Sequence, residues 1–297
     1  MLVIVHHENK TKNRAYRHRQ LSNMNTKKNT IFKCPICDNR LLRDAKQYLC
    51  ENNHSFDIAK EGYVNLLLSG KKRSREPGDN QEMILARHGF LSKGYYNRLS
   101  EELIKTIQHL ANSATTTLID SACGEGYYLK NIHDKLKIDC YGVDLSKIAM
   151  KLASKASKEI NYAVANAFTM PVLNNSVDFA LSVFSPFNED EIYRIVKKQS
   201  YWIIVTPGRH HLFELKRELY DNVQLNESSL TLHSFKISQK NELKYEIDID
   251  NNNDIQNLVK MTPYYWKTDK SRIEHLLSNV SKLQTRVEFE ITIAQSV

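Results

Sequence analysis

Cys34-Pro35-Ile36-Cys37, followed by Cys50 and then His54, restricts the possible folds of this chain more than any other feature. Thiolates and imidazole suit a tetrahedral zinc ion, and the spacing C-x2-C-x12-C-x3-H is close to that of structural zinc sites. The two-residue gap lets Cys34 and Cys37 wrap one ion in a tight knuckle, with Pro35 stiffening the turn. Four protein ligands leave no position open for water or substrate. Cys34, Cys37, Cys50 and His54 therefore predict a structural Zn2+ that serves folding and recognition rather than metal catalysis. The ribbon implied over residues 31–66 is too small to bury much apolar surface without a metal.

The net charge of +8 sits at the same end. Residues 1–80 hold 16 Lys and Arg against 8 Asp and Glu, so residues 81–297 are balanced. A basic module beside a neutral one points to a polyanion, with a nucleic acid as the expected partner, against the alternative of a Lys- and Asn-rich tail that only solubilises the chain. Residues 1–30 show no period and read as a disordered basic tail, with Met24 as an alternative start. Lys71-Lys72-Arg73-Ser74-Arg75 is the densest basic run, in a polar connector suited to a phosphate backbone. Five cysteines in a chain of 297 residues do not resemble a secreted disulfide framework. No apolar run reaches membrane-spanning length, and Met1-Leu2-Val3-Ile4-Val5 is too short for a signal-peptide core. A cytoplasmic protein without a membrane partner is expected.

Residues 67–111 read as the connector and two helices interrupted near Gly94, with Leu99, Leu103, Ile107 and Leu110 at helical spacing. From residue 112 the rhythm becomes α/β. Thr117-Leu118-Ile119, Tyr141-Gly142-Val143, Tyr162-Ala163-Val164, Phe179-Ala180-Leu181 and Trp202-Ile203-Ile204-Val205 alternate with amphipathic stretches, which predicts parallel strands with helical crossovers. Leu243–Ile247 and Val287–Ile293 read as a closing antiparallel pair on one edge of the sheet.

Asp120-Ser121-Ala122-Cys123-Gly124-Glu125-Gly126 ends the first of those strands. The chain must turn sharply into a helix there while its backbone approaches a ligand, which glycine at 124 and 126 permits. Asp144 closes the second strand, and each of its carboxylate oxygens is able to accept a hydrogen bond from a ribose hydroxyl. The loop lacks the third glycine of a dinucleotide fingerprint. Instead D-x-x-C-G-E-G looks like the first motif of Rossmann-like class I methyltransferases, which use S-adenosylmethionine. That likeness implies that Gly124 and Glu125 border the amino-acid part of the cofactor, Asp144 its ribose and Asn166 its adenine. Ala122 departs from the glycine frequent at its position.

With both features in one chain, residues 31–297 resemble the bacterial 23S ribosomal RNA guanine-N1 methyltransferases, which include macrolide-resistance enzymes. The resemblance rests on the knuckle, on Phe56–Leu67, on Lys72–Asp79 and on Cys123–Tyr128. Thr206-Pro207-Gly208, His211-Leu212 with Glu214-Leu215-Lys216, and Met261-Thr262-Pro263 extend it. It implies methyl transfer from S-adenosylmethionine to N1 of a guanine in a 23S hairpin, with Tyr96 and His211 also contacting the cofactor. From the residues alone, Tyr96 reads as packing beside Tyr95 and His211 as a capping or surface residue. Lys197-Lys198-Gln199-Ser200 replaces the family's Lys-Pro-Gly-Gly turn.

Ser185–Asp190, after the fourth strand, is where a target base would reach the methyl, and Phe187 is the expected stacking ring. Glu189 and Asp190 read better as first-turn helix acids, so no general base is assigned. A small-molecule methyltransferase and a noncatalytic zinc RNA-binding protein are the rival functions. A homodimer sharing one RNA cleft is a further expectation.

Overall fold

The computed structural model describes residues 28–68, 79–111, 116–227 and 229–297. Most of the expected tail, Met24, and the basic run of the connector fall outside the described residues.

The apolar runs form the sheet that their spacing predicts. β6 (Thr117–Ser121), β7 (Asp139–Asp144), β8 (Asn161–Val164), β9 (Val177–Val183) and β10 (Val196–Pro207) run parallel. β12 (Leu283–Ser296) pairs antiparallel with β10, and β11 (Phe235–Ile249) antiparallel with β12. The order is β11-β12-β10-β9-β6-β7-β8-β5, where β5 is Val64–Asn65. The chain winds outward from β6 through β7 to β8, then returns to β9 on the other flank. The strand order thus reverses between β6 and β9, where an open α/β sheet leaves a crevice at its carboxyl ends.

Helices follow the apolar periodicity. α1 (Gln81–Leu91) is capped by Asn80 Oδ1, which accepts the Met83 amide at 2.9 Å. α2 (Asn97–Leu110) buries Leu99, Leu103 and Ile107 on one stripe, and Gly94 separates the pair with φ of +83°. α3 (Tyr127–Leu136) follows β6. α4 (Lys147–Ala156) follows β7, with Ser146 as N-cap. α5 (Glu189–Ile195), α6 (Phe213–Leu219), α7 (Asn252–Lys260), α8 (Pro263–Lys267) and α9 (Lys270–Asn279) complete the order.

Alternation along the strands divides the core into two faces. Leu118, Cys140, Phe179 and Ile203 pack with residues of α1, α2, α3, α6 and α7. Their neighbours Ile119, Tyr141, Ala180 and Ile204 pack instead with Ile31, Phe32, Leu41 and Tyr48 of the N-terminal ribbon. That ribbon is an antiparallel sheet of β1 (Lys28–Lys33), β2 (Arg40–Arg43), β3 (Gln47–Leu49) and β4 (Ser55–Asp57). It therefore covers one face of the large sheet. The Phe32 ring is fully buried, edge-on to Tyr141 at 5.3 Å. The Lys33 amide donates to the Pro171 carbonyl and the Leu173 amide to the Ile31 carbonyl, both at 2.9 Å.

Three local expectations change. β1 begins at Lys28, three residues ahead of the boundary drawn at residue 31. Val64 and Asn65 pair with Ala163 and Val164 of β8, so this segment belongs to the large sheet's edge rather than to the ribbon alone. Its bridge from Val64 to Ile58 makes it the seam between the two. The altered turn before Tyr201 places Gln199 at φ of +59° beside an irregularity in β10. A side chain thus occupies a left-handed position that glycine takes without strain.

Candidate cofactor cleft and zinc centre

The knuckle between β1 and β2 supplies Cys34 and Cys37; the turn between β3 and β4 supplies Cys50 and His54. Their ligand atoms all lie within 4.8 Å of one another. His54 Nδ1 is 3.5 Å from both Cys34 Sγ and Cys50 Sγ, and Cys37 Sγ is 3.7 Å from Cys50 Sγ. Zinc–sulfur bonds of about 2.3 Å at tetrahedral angles put sulfur atoms about 3.7 Å apart, so one ion fits the cluster. Cys34 and Cys50 are buried, as a closed structural site requires.

The second site is a cavity of about 680 Å³ at the carboxyl ends of β6, β7 and β9. This is within the range of small-molecule sites. Tyr96, Asp120, Gly124, Glu125, Asp144, Asn166 and His211 all line it. The loop after β6 makes its floor. Ala122, Gly124 and Gly126 take φ of +63°, +56° and +78°, a run of left-handed residues that turns the chain into α3. Gly126 itself lies outside the lining. A Cβ there would sit 2.7 Å from the Tyr162 hydroxyl and 3.0 Å from Ala153 Cβ, so its role is close packing beneath the loop.

Asp144 fixes this floor. Its Oδ2 accepts the Gly124 amide at 2.9 Å and its Oδ1 the Ser146 amide at 2.8 Å. Asp120 and Glu125 differ: each is buried and leaves one carboxylate oxygen, Oδ1 and Oε1, without a partner. Burial pushes Glu125 up to about 7, against the pull of Arg87. Burial, then Asp144 and Glu125, pushes Asp120 well above the usual carboxylate range. Such uncompensated acceptors are costly unless a ligand cation satisfies them. S-adenosylmethionine carries an ammonium and a sulfonium, and these acceptors fit it.

His211 is buried, and its Nδ1 accepts the Glu288 amide at 3.2 Å. Its proton then sits on Nε2, 3.4 Å from the Tyr96 hydroxyl oxygen. Burial lowers His211 to about 4, so the ring is neutral at neutral pH. Both residues line the cleft, where packing for Tyr96 and a capping or surface role for His211 were the readings from the residues alone. The Asn166 amide oxygen accepts the Phe168 amide at 3.0 Å, keeping a second lone pair.

Sequence reasoning missed Arg87 and Phe184. Arg87 of α1 lines the cleft and pairs with Asp79 at 2.6 Å. Burial would lower it, but Asp79, Glu125 and Asp144 together hold it above its usual value. An acid eight residues before an arginine is too common to have marked it. Phe187, the expected stacking ring, is instead edge-on to Trp202 at 4.7 Å. Phe184, three residues earlier, lines the cleft. Glu189 accepts the His233 and Ser234 amides from the first turn of α5, in keeping with a structural role.

A sheet with this strand order, with the antiparallel β12 inserted between β10 and β11, a glycine-bearing loop after its first strand and an acid closing its second, is that of a class I methyltransferase that uses S-adenosylmethionine. A family model described as RlmA, N-terminal, a zinc ribbon, matches residues 32–75, and one described as Methyltransferase domain matches residues 119–204. YxjB of Bacillus subtilis, which bears the name "Putative 23S rRNA (guanine-N(1)-)-methyltransferase", is 31% identical over 279 residues, covering 89% of this chain and 96% of the relative. The 23S rRNA (guanine(748)-N(1))-methyltransferase of Streptomyces fradiae is 34% identical over 195 residues, covering 64% of this chain and 68% of the relative. The chain belongs to the 23S rRNA (guanine-N1)-methyltransferase family. Among the described residues no helix is long and apolar enough to cross a membrane.

Proposed function

We propose that this chain transfers the methyl group of S-adenosylmethionine to N1 of a guanine in a hairpin loop of 23S ribosomal RNA. The observation that carries the reading is the pair of unpartnered, buried carboxylate oxygens on Asp120 and Glu125 in a cleft at the switch point of the sheet. Family membership and a basic end bearing the zinc ribbon support RNA as substrate.

When bound, S-adenosylmethionine supplies a methyl already activated on a sulfonium. The chain's own tasks are binding, orientation and exclusion of water. Glu125 and Asp120 offer acceptors to the ammonium, and the bare backbone at Gly124 admits the amino-acid portion. Each Asp144 oxygen already holds one amide and keeps a lone pair for a ribose hydroxyl. Asn166 offers its remaining lone pair to the adenine amino group. Tyr96 and a neutral His211 close the wall without adding positive charge. The guanine N1 loses its proton as it takes the methyl, so the products are S-adenosylhomocysteine, N1-methylguanine and one proton.

In this reading the ribbon over residues 31–66 recognises RNA, residues 112–297 carry transfer, and the protein works in the cytoplasm, where a homodimer sharing one RNA cleft is testable by sedimentation. Incubation of 23S rRNA from a strain lacking the protein with enzyme and S-adenosylmethionine should create one cofactor-dependent primer-extension stop at a hairpin guanine. Transfer to small molecules but not to RNA would overturn the substrate. Calorimetry without heat on adding S-adenosylmethionine would overturn the enzyme.

A further inference from the structure

The unexplained feature of the cleft is Phe184. It follows the last residue of β9, at the strand-order reversal, and takes φ of +52°. A bulky side chain in the left-handed region is an outlier that persists only where its surroundings impose it. Despite that strain, 41% of this large apolar residue remains exposed, and it lines the cleft. Burial of the ring therefore does not account for the strain.

The surroundings hold the loop firmly. The Phe184 amide donates to the Val205 carbonyl at 3.0 Å. Ser185 Oγ donates to the Ser121 carbonyl at 3.3 Å, tying the segment to the end of β6. Phe187 is wedged against Trp202, and Asn188 Nδ2 donates to the Phe168 carbonyl at 3.2 Å. On one side the Phe184 ring leans on His211 and Phe289, with centroids 5.7 and 5.8 Å away. Two strands, a neighbouring loop and an aromatic pair thus fix one exposed ring at the reaction cleft.

We propose that Phe184 is the platform on which the target guanine stacks for methyl transfer. The inference rests on the RNA-methyltransferase reading and deepens it. A guanine has a flat π-face, and base–aromatic stacking orients a base without reading its edges. A ring fixed before the base arrives loses little freedom on binding, which a flexible apolar side chain at the same position would not match. Phe168 is similarly exposed, but it follows Asn166 by two residues and so stands on the adenine side of the cofactor.

The test compares Phe184→Leu, which keeps apolar bulk but has no π-face, with Phe184→Tyr, which keeps the ring. Steady-state methylation of unmodified 23S rRNA, calorimetric S-adenosylmethionine affinity and melting temperature are measured for each. Phe184→Leu should lose about 10- to 100-fold in kcat/KM for RNA, the range seen for removal of one stacking ring. Its cofactor affinity and melting temperature should match wild type, and Phe184→Tyr should restore most of the rate. Wild-type kcat/KM in the Leu variant would overturn the platform. So would equal losses in Leu and Tyr, or a parallel loss of cofactor affinity in the Leu variant. An inactive wild-type protein on RNA would sink the substrate reading itself.

Discussion

The zinc ribbon and the cofactor cleft lie on the same sheet and treat buried polarity in opposite ways. In the ribbon four ligand atoms converge within 4.8 Å, so that one ion satisfies all of them. In the cleft Asp120 and Glu125 keep acceptor atoms with no partner, and Ala122 and Phe184 keep strained backbones. The first arrangement gains stability from its ligand and presents it to nothing else. The second holds unmet interactions open for molecules that come and go. Folding free energy is therefore concentrated where the ligand is permanent, and strain where it turns over.

The largest effect should come from removing the permanent ligand. Structural zinc sites contribute on the order of 10 kcal/mol to small modules. Here the ribbon's core is continuous with the sheet through Phe32, Tyr48 and Tyr141, and Tyr48 donates its hydroxyl to Asn161 Oδ1 at 3.2 Å. Cys50→Ser, or strong chelation, should abolish RNA methylation and shift the melting of the whole chain as a single transition. Calorimetry with an unshifted main transition and normal cofactor binding would instead separate the two regions.

Asp144→Asn should rank second. The amide replaces one acceptor with a donor, leaving either the Gly124 or the Ser146 amide facing an N–H group. An unsatisfied hydrogen bond of this kind costs about 1–3 kcal/mol. Cofactor affinity should fall about 10- to 100-fold, while circular dichroism and zinc content stay at wild-type values. Loss of zinc in this variant would break the contrast between the two sites.

The ribbon's ligands were legible because all four fall within 21 consecutive residues, and metal geometry dictates their spacing. The cleft was legible only where one short segment both bends the chain and meets the ligand, as from Asp120 to Glu125 and at Asp144. Its remaining walls arrive from Arg87, Phe184, His211 and Met261 to Tyr264, remote in sequence and joined by the sheet order. Tyr96 and His211 came from family resemblance, since an aromatic and a histidine carry no local signal of their neighbours. Phe184 was passed over for Phe187 because no pattern in the residues announces a left-handed phenylalanine. Alternation along β9 ends at Val183, and tertiary contacts decide which ring then turns to the cleft.

A smaller effect should appear in pH dependence. Glu125 is pushed up to about 7 by burial, above its unfolded value near 4.5. Between these values the folded, ligand-free chain binds more protons than the unfolded one, so Glu125's contribution to stability is lost as pH rises through that window. A cationic ligand favours the carboxylate. Its affinity should rise about tenfold from pH 5.5 to 7 and then flatten. Glu125→Gln should remove most of that slope in calorimetric titrations. An unchanged slope would show that Glu125 does not face the ammonium.

The smallest effect sharpens the contrast most directly, because it removes strain without touching a polar group. Ala122 sits at φ of +63°, where a β-carbon crowds the following carbonyl and costs about 1–2 kcal/mol. Glycine at 122 would remove that cost while losing about 0.5–1 kcal/mol through greater freedom in the unfolded chain. Ala122→Gly should therefore stabilise by about 0.5–1 kcal/mol, a rise of a few degrees in melting temperature. Cofactor affinity should change less than threefold, since the polar partners on Gly124 and Asp144 stay in place. A destabilised variant would mean that the methyl's packing outweighs the backbone strain. A stabilised variant with weakened binding would show that the cleft needs the strain itself, because the methyl holds the loop in the shape the ligand requires.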